Sequence, residues 1–81
     1  MTHINIKPGD PVDLALALIA DDALPIGSTV RDERRWEYQR YPKGWQHPVG
    51  YSYMGQLYPS LVDLVQAEGQ VTVSFIARRP R

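Results

Sequence analysis

The stretch from residue 24 to residue 49 constrains this chain more than any other, because it reads as an entry turn followed by short strands separated by turns. Pro25 presets the φ angle of a turn and Gly27 can take positive φ, so the chain restarts in a new direction there. Ser28-Thr29-Val30-Arg31 follows, with β-branched residues at its centre. Asp32-Glu33-Arg34 is a polar break. From Arg35 to Arg40 the chain alternates strictly, Trp36 and Tyr38 to one side and Arg35, Glu37 and Gln39 to the other, which is the period of a half-buried strand. Tyr41-Pro42-Lys43-Gly44 reads as a hairpin turn, and Trp45-Gln46-His47 as the next strand until Pro48 and Gly50 stop it. The simplest arrangement is a three-stranded antiparallel meander with Trp36 and Trp45 on adjacent strands, both indoles facing a small core.

The flanks supply cover for that sheet. Residues 1–6 read as a short edge strand and Lys7-Pro8-Gly9 as a turn. Asp10-Pro11 has the form of a helix start, an acidic N-cap with proline at the first helical position, and predicts a helix over residues 11–20. Val12, Ala15, Leu16 and Ile19 would form one face of it, and Leu14 and Leu18 a second apolar line. A helix apolar on both sides is buried on both or meets a partner. Pro59-Ser60 opens a second helix to Glu68, with Leu61, Leu64 and Val65 as its stripe and Gly69 as its C-cap. Residues 70–77 alternate again, Val71, Val73, Phe75 and Ala77 against Thr72, Ser74 and Ile76, and predict a final strand. The expected fold is therefore α+β: helix, three-stranded antiparallel meander, helix, and a C-terminal strand paired back into one small sheet, helices on one face. Eighty-one residues make one domain, with residues 1–9 and 78–81 as flexible or edge segments. A chain of this length buries only about 60–65% of its extended surface, so modest stability is expected.

The pattern Leu24-Pro25-Ile26-Gly27-Ser28-Thr29-Val30-Arg31-Asp32, then Trp36-Glu37, Gly44-Trp45, a short apolar helix and Val71-Thr72-Val73 resembles a family of small accessory proteins encoded by actinobacteriophages, of the mycobacteriophage type. The resemblance spans residues 23–75. Its motifs are turn glycines and core tryptophans, so it implies a fold and a phage origin, not an activity. Two departures stand out: Asp32-Glu33-Arg34-Arg35 replaces the Asp-Gly turn of that pattern, and an aromatic insert runs from Tyr51 to Tyr58. Arginine outnumbers lysine seven to two, in keeping with a high-GC host.

Charge and composition narrow the function classes. Nine basic and nine acidic residues cancel, which argues against strong general affinity for nucleic acid or anionic membrane. No apolar run approaches the roughly 20 residues of a membrane helix, and no signal peptide is apparent. Cysteine is absent, which excludes disulfides and thiolate sites and fits a cytoplasmic protein, the host cytoplasm if phage-encoded. His3 and His47 lack the spacing of a metal pair, and Asp21-Asp22 reads as loop capping, not a catalytic dyad. Ser28, Ser52, Ser60 and Ser74 have no histidine base in a recognisable motif. No catalytic set, cofactor or metal is expected.

Two clusters remain as binding candidates. Tyr51, Tyr53, Met54 and Tyr58 form a Gly-flexed aromatic loop, readable as a protein interface or as a lid over the core. With Leu14 and Leu18 they support the leading expectation, a non-enzymatic accessory protein that binds a host protein or a second copy of itself. The alternative is a nucleic-acid-binding module using Arg31, Arg34, Arg35, Trp36 and Arg40 with the tail residues Arg78 and Arg79. Against it, residues 31–43 hold five basic and three acidic side chains, a surplus of only two.

Overall fold

The computed structural model describes residues 5–51 and 55–78, apart from the side chain of Asp22. Two helices lie against an antiparallel sheet of five short strands: β1 (Pro11–Val12), α1 (Leu14–Ala20), a 3₁₀ turn (Asp21–Ala23), β2 (Thr29–Arg31), β3 (Glu37–Tyr41), β4 (Gly44–Gln46), α2 (Leu61–Glu68) and β5 (Val71–Phe75). The strand order is β1-β5-β2-β3-β4, all neighbours antiparallel. The α+β class expected from the sequence is present. The finer element order is not matched, because a strand, β1, precedes α1 and the sheet has five strands; β5 pairs back into it beside β2.

The first helix is where local signals mislead. Asp10-Pro11 does not start it. Gly9 N–H donates to the Val73 carbonyl at 2.7 Å and Val73 N–H to the Asp10 carbonyl at 2.9 Å, so this backbone is committed to β5. Val12, fully buried, sits opposite Val71. Pro11 lies on an edge strand, where its missing N–H costs no ladder bond. The helix begins at Leu14 with Asp13 as N-cap, its Oδ1 accepting from Leu16 N–H at 2.9 Å. Asp10 instead accepts from Lys7 N–H within a turn.

The sheet face toward the helices is built by register. Val12, Val71, Val73, Val30 and Tyr38 are linked as direct cross-strand partners, and Arg40 pairs with Trp45 one step further along β3. Ala17, Ala20, Leu24, Leu61 and Leu64 close the core over that face. The other face carries Arg31, Glu37, Gln39, Gln46 and Thr72, as an antiparallel sheet with one solvated side requires.

Two sequence expectations are corrected. Of the two indoles only that of Trp45 is buried, at 1% exposure; Trp36 precedes β3 and is 43% exposed. Phe75 does not join the core with Val71 and Val73. The register with β2 shifts between Thr29 and Val30, which sets Phe75 opposite Thr29 and leaves it 55% exposed. The expected edge strand over residues 1–6 lies mostly outside the described residues, and Asn5 and Ile6 are not in a strand. The second helix runs as its caps imply, with Ser60 Oγ accepting from Asp63 N–H at 3.2 Å and Gly69 ending it at φ 87°.

Candidate binding site

A turn and a hairpin place the aromatic side chains. At the end of β2, Asp32 is 5% exposed and organises the chain that follows. Its Oδ1 accepts from the N–H groups of Arg34 and Trp36, each at 2.9 Å, and its Oδ2 from the Tyr38 hydroxyl at 3.1 Å. This turns the backbone through Arg35, which holds φ at 70° without being glycine, and fixes where Trp36 leaves the turn. Burial, and then the neighbouring Asp32 charge and hydrogen bond, raise the Tyr38 phenol well above its ordinary pKa of 10.0.

The β3–β4 hairpin extends the arrangement. Arg40 pairs with Trp45, so His47 comes level with Tyr38, and the two rings stack at 4.6 Å between centroids. Tyr51 stacks on His47 at 5.2 Å, and the Trp36 indole lies 5.1 Å from the imidazole, tilted. His47 Nδ1 is 2.8 Å from the Glu37 carbonyl, an acceptor only, so Nδ1 carries a proton and donates.

Beyond the loop, Tyr58 bridges back to β4 through paired bonds with Trp45 of 2.7 and 2.8 Å. Its hydroxyl donates to Glu68 Oε2 at 2.5 Å, at the end of α2. Arg34 Nη2 donates to the other carboxylate oxygen at 2.6 Å. A pocket of about 310 Å³ lies between these parts. Trp36, Tyr38, His47 and Tyr58 make its aromatic walls, and Arg34, Gln56 and Glu68 its polar side.

The residues singled out in the sequence are dispersed by the structure. Tyr51 borders the ring stack, whereas Tyr58 is buried at 7% exposure, a wall of the core and not an open interface residue. Tyr53, Met54 and Arg79 lie outside the described residues. Leu14 and Leu18 are exposed on α1; Leu18 is 67% exposed and its neighbour Ile19 60%. The side of α1 turned inward is Leu16, Ala17 and Ala20, not the line of Val12, Ala15, Leu16 and Ile19 expected from a longer helix.

The arginine cluster does not form one surface. Arg31 Nε meets Glu37 Oε1 at 3.4 Å, Arg34 is held by Glu68, and Arg40 reaches inward to the Asp21 and Leu24 carbonyls at the end of the 3₁₀ turn. Arg35 and Arg78 are exposed. Asp21 Oδ1 accepts from Leu61 N–H at 3.2 Å, at the first residue of α2. Ser28 Oγ accepts from Ala77 N–H at 3.0 Å. His3 and Ser52 fall outside the described residues. Among the described residues, no group of three or more His, Asp and Glu could hold a metal ion, and no helix is long and apolar enough to cross a membrane.

Sequence reasoning missed Glu68, Gln56 and His47 as members of one site. The signal that was available is Glu68 itself, an acid in the last turn of a helix, where the dipole disfavours it and no base accompanies it. Comparison with family models, curated proteins and solved structures finds no match for the chain. Fold and site together define a small α+β domain with an aromatic-lined pocket and an exposed apolar helix face.

Proposed function

We propose that the chain is a non-enzymatic accessory domain, of the phage-encoded kind its sequence pattern resembles, that acts by protein–protein contact through the outer face of α1. One observation carries this reading. Leu14, Ala15, Leu18 and Ile19 are all exposed, and their spacings of three and four residues put them on one side of a helix that contains no charged or polar residue. Solvated helix faces are ordinarily polar; an uncharged one is a contact surface.

The partner to test first is a second copy of the chain. Net charge is zero, so two copies do not repel, and the face is free of charges that would need desolvation. A nucleic-acid role is less well supported, because Arg31, Arg34 and Arg40 are engaged within the chain. Sedimentation velocity of the wild type and of Leu18→Glu tests the reading. A wild-type dimer that the substitution dissociates makes the face a self-interface. If both are monomers and both retain the same proteins from a lysate, the proposal fails.

A further inference from the structure

The pocket shares no residue with the α1 face, and its chemistry points to a different kind of ligand. We propose that it takes an organic ammonium head group of the methylated or quaternary class. Trp36, Tyr38, His47 and Tyr58 line it; His47 is stacked between Tyr38 and Tyr51, so the accessible ring is that of Trp36, which is 43% exposed. Aromatic faces carry negative electrostatic potential and attract cations, the more so when the cation cannot be better served by water.

Formal charge agrees. Glu68 borders the pocket, Asp32 lies immediately behind Tyr38, and Arg34 is the one Lys or Arg among the described residues that line it. Two carboxylates against one guanidinium leave one negative charge. The guanidinium is also neutralised locally, with Nη2 2.6 Å from Glu68 Oε1 and 3.9 Å from Asp32 Oδ2, so it is poorly placed to receive an anion. Its side chain is 69% exposed while that of Glu68 is 18% exposed, so Arg34 covers the carboxylate from the solvent side and competes with an incoming cation for it. The volume of about 310 Å³ is at the small end of the range for ligand pockets and suits a head group in place of an extended substrate.

A methylated ammonium can arrive as a free quaternary amine or as a methylated lysine side chain on a protein. Choline is therefore titrated into the full chain and followed by amide and indole NMR shifts. A peptide carrying trimethyl-lysine, the same peptide unmodified, and dimethylbutanol, the neutral carbon isostere of choline, are run in parallel.

Choline is expected to give saturable shifts at the Trp36 indole and Gln56, and the neutral isostere to bind roughly tenfold more weakly. Glu68→Gln keeps one oxygen to accept from Arg34, and its amide can donate to the Tyr58 hydroxyl oxygen, but the charge is removed, which should weaken choline roughly threefold to tenfold. Arg34→Gln removes the competing cation and should tighten it. Trp36→Ala, at a half-exposed position outside the core cluster, should weaken it with amide dispersion retained. Stronger binding of the methylated peptide than of choline assigns the site to a protein-borne head group; equal binding assigns it to the free amine. The proposal is overturned if the isostere binds as well as choline, if neither cation gives saturable shifts, or if Arg34→Gln abolishes binding, which would mark an anion site.

Discussion

The Tyr38 hydroxyl donates to Oδ2 of Asp32 at 3.1 Å, from β3 back to the end of β2, while Oδ1 of the same carboxylate gathers two backbone N–H groups. One buried side chain thus shapes the turn and anchors the pocket wall. Asp32→Ala leaves those donors without a partner and is expected to cost about 2–3 kcal/mol. Asp32→Asn keeps an acceptor for the backbone groups, and its amide can donate to the phenol oxygen, so about 1 kcal/mol is expected. Urea denaturation of both variants checks the order; equal losses would show that the backbone contacts contribute nothing.

The same pair makes stability depend on alkaline pH. The folded-state pKa of Tyr38 is raised above its ordinary 10.0, so the unfolded chain loses this proton first as pH rises. The contribution is complete below that value and falls above it, by up to about 1.4 kcal/mol per pH unit. Tyr38→Phe lacks this dependence. The stability difference between wild type and Tyr38→Phe should shrink between about pH 9 and about pH 11; a constant difference contradicts the buried phenol.

Arg35 takes left-handed backbone at φ 70°, a conformation that costs a side-chain-bearing residue about 1–2 kcal/mol. Arg35→Gly removes that strain but adds freedom to the unfolded chain. A net gain of up to about 1 kcal/mol is expected, read as a higher denaturation midpoint.

Gly44 closes the β3–β4 hairpin at φ 140°, where a Cβ would stand 2.2 Å from the Tyr58 carbonyl oxygen and 2.8 Å from Pro59 Cα. Both obstacles are backbone. Gly44→Ala must therefore break the Trp45–Tyr58 bridge or distort the hairpin, and a loss of about 3 kcal/mol or more is expected. Thermal unfolding that matches wild type would show that the loop yields without cost.

Much of the fold was legible because its signals are local. Ser60 and Gly69 bound α2, the Pro/Gly turns mark the hairpins, and alternation finds the strands. Where the reading failed, a distant contact outweighed a local preference. Asp10-Pro11 looks like a helix start, but pairing with β5 and the burial of Val12 decide otherwise. Phe75 continues an alternation that the β2 register shift interrupts. Arg34, Trp36 and Tyr58 were each conspicuous in the sequence, yet the site depends on Arg34 meeting Glu68 across 34 positions, which no spacing rule encodes. Arg40 was grouped with a nucleic-acid surface by its neighbours in sequence, whereas carbonyls of the 3₁₀ turn claim its guanidinium.

The outer face of α1 is tested most directly by paired capture from an actinobacterial lysate that also contains the untagged chain. Tagged wild type and tagged Leu18→Glu are compared by quantitative mass spectrometry. Leu18 is 67% exposed, so the substitution should leave stability within about 0.5 kcal/mol. One protein, the untagged chain or another, is expected to be retained by wild type and lost from the variant. Equal retention on both, or nothing above background on wild type, would contradict it.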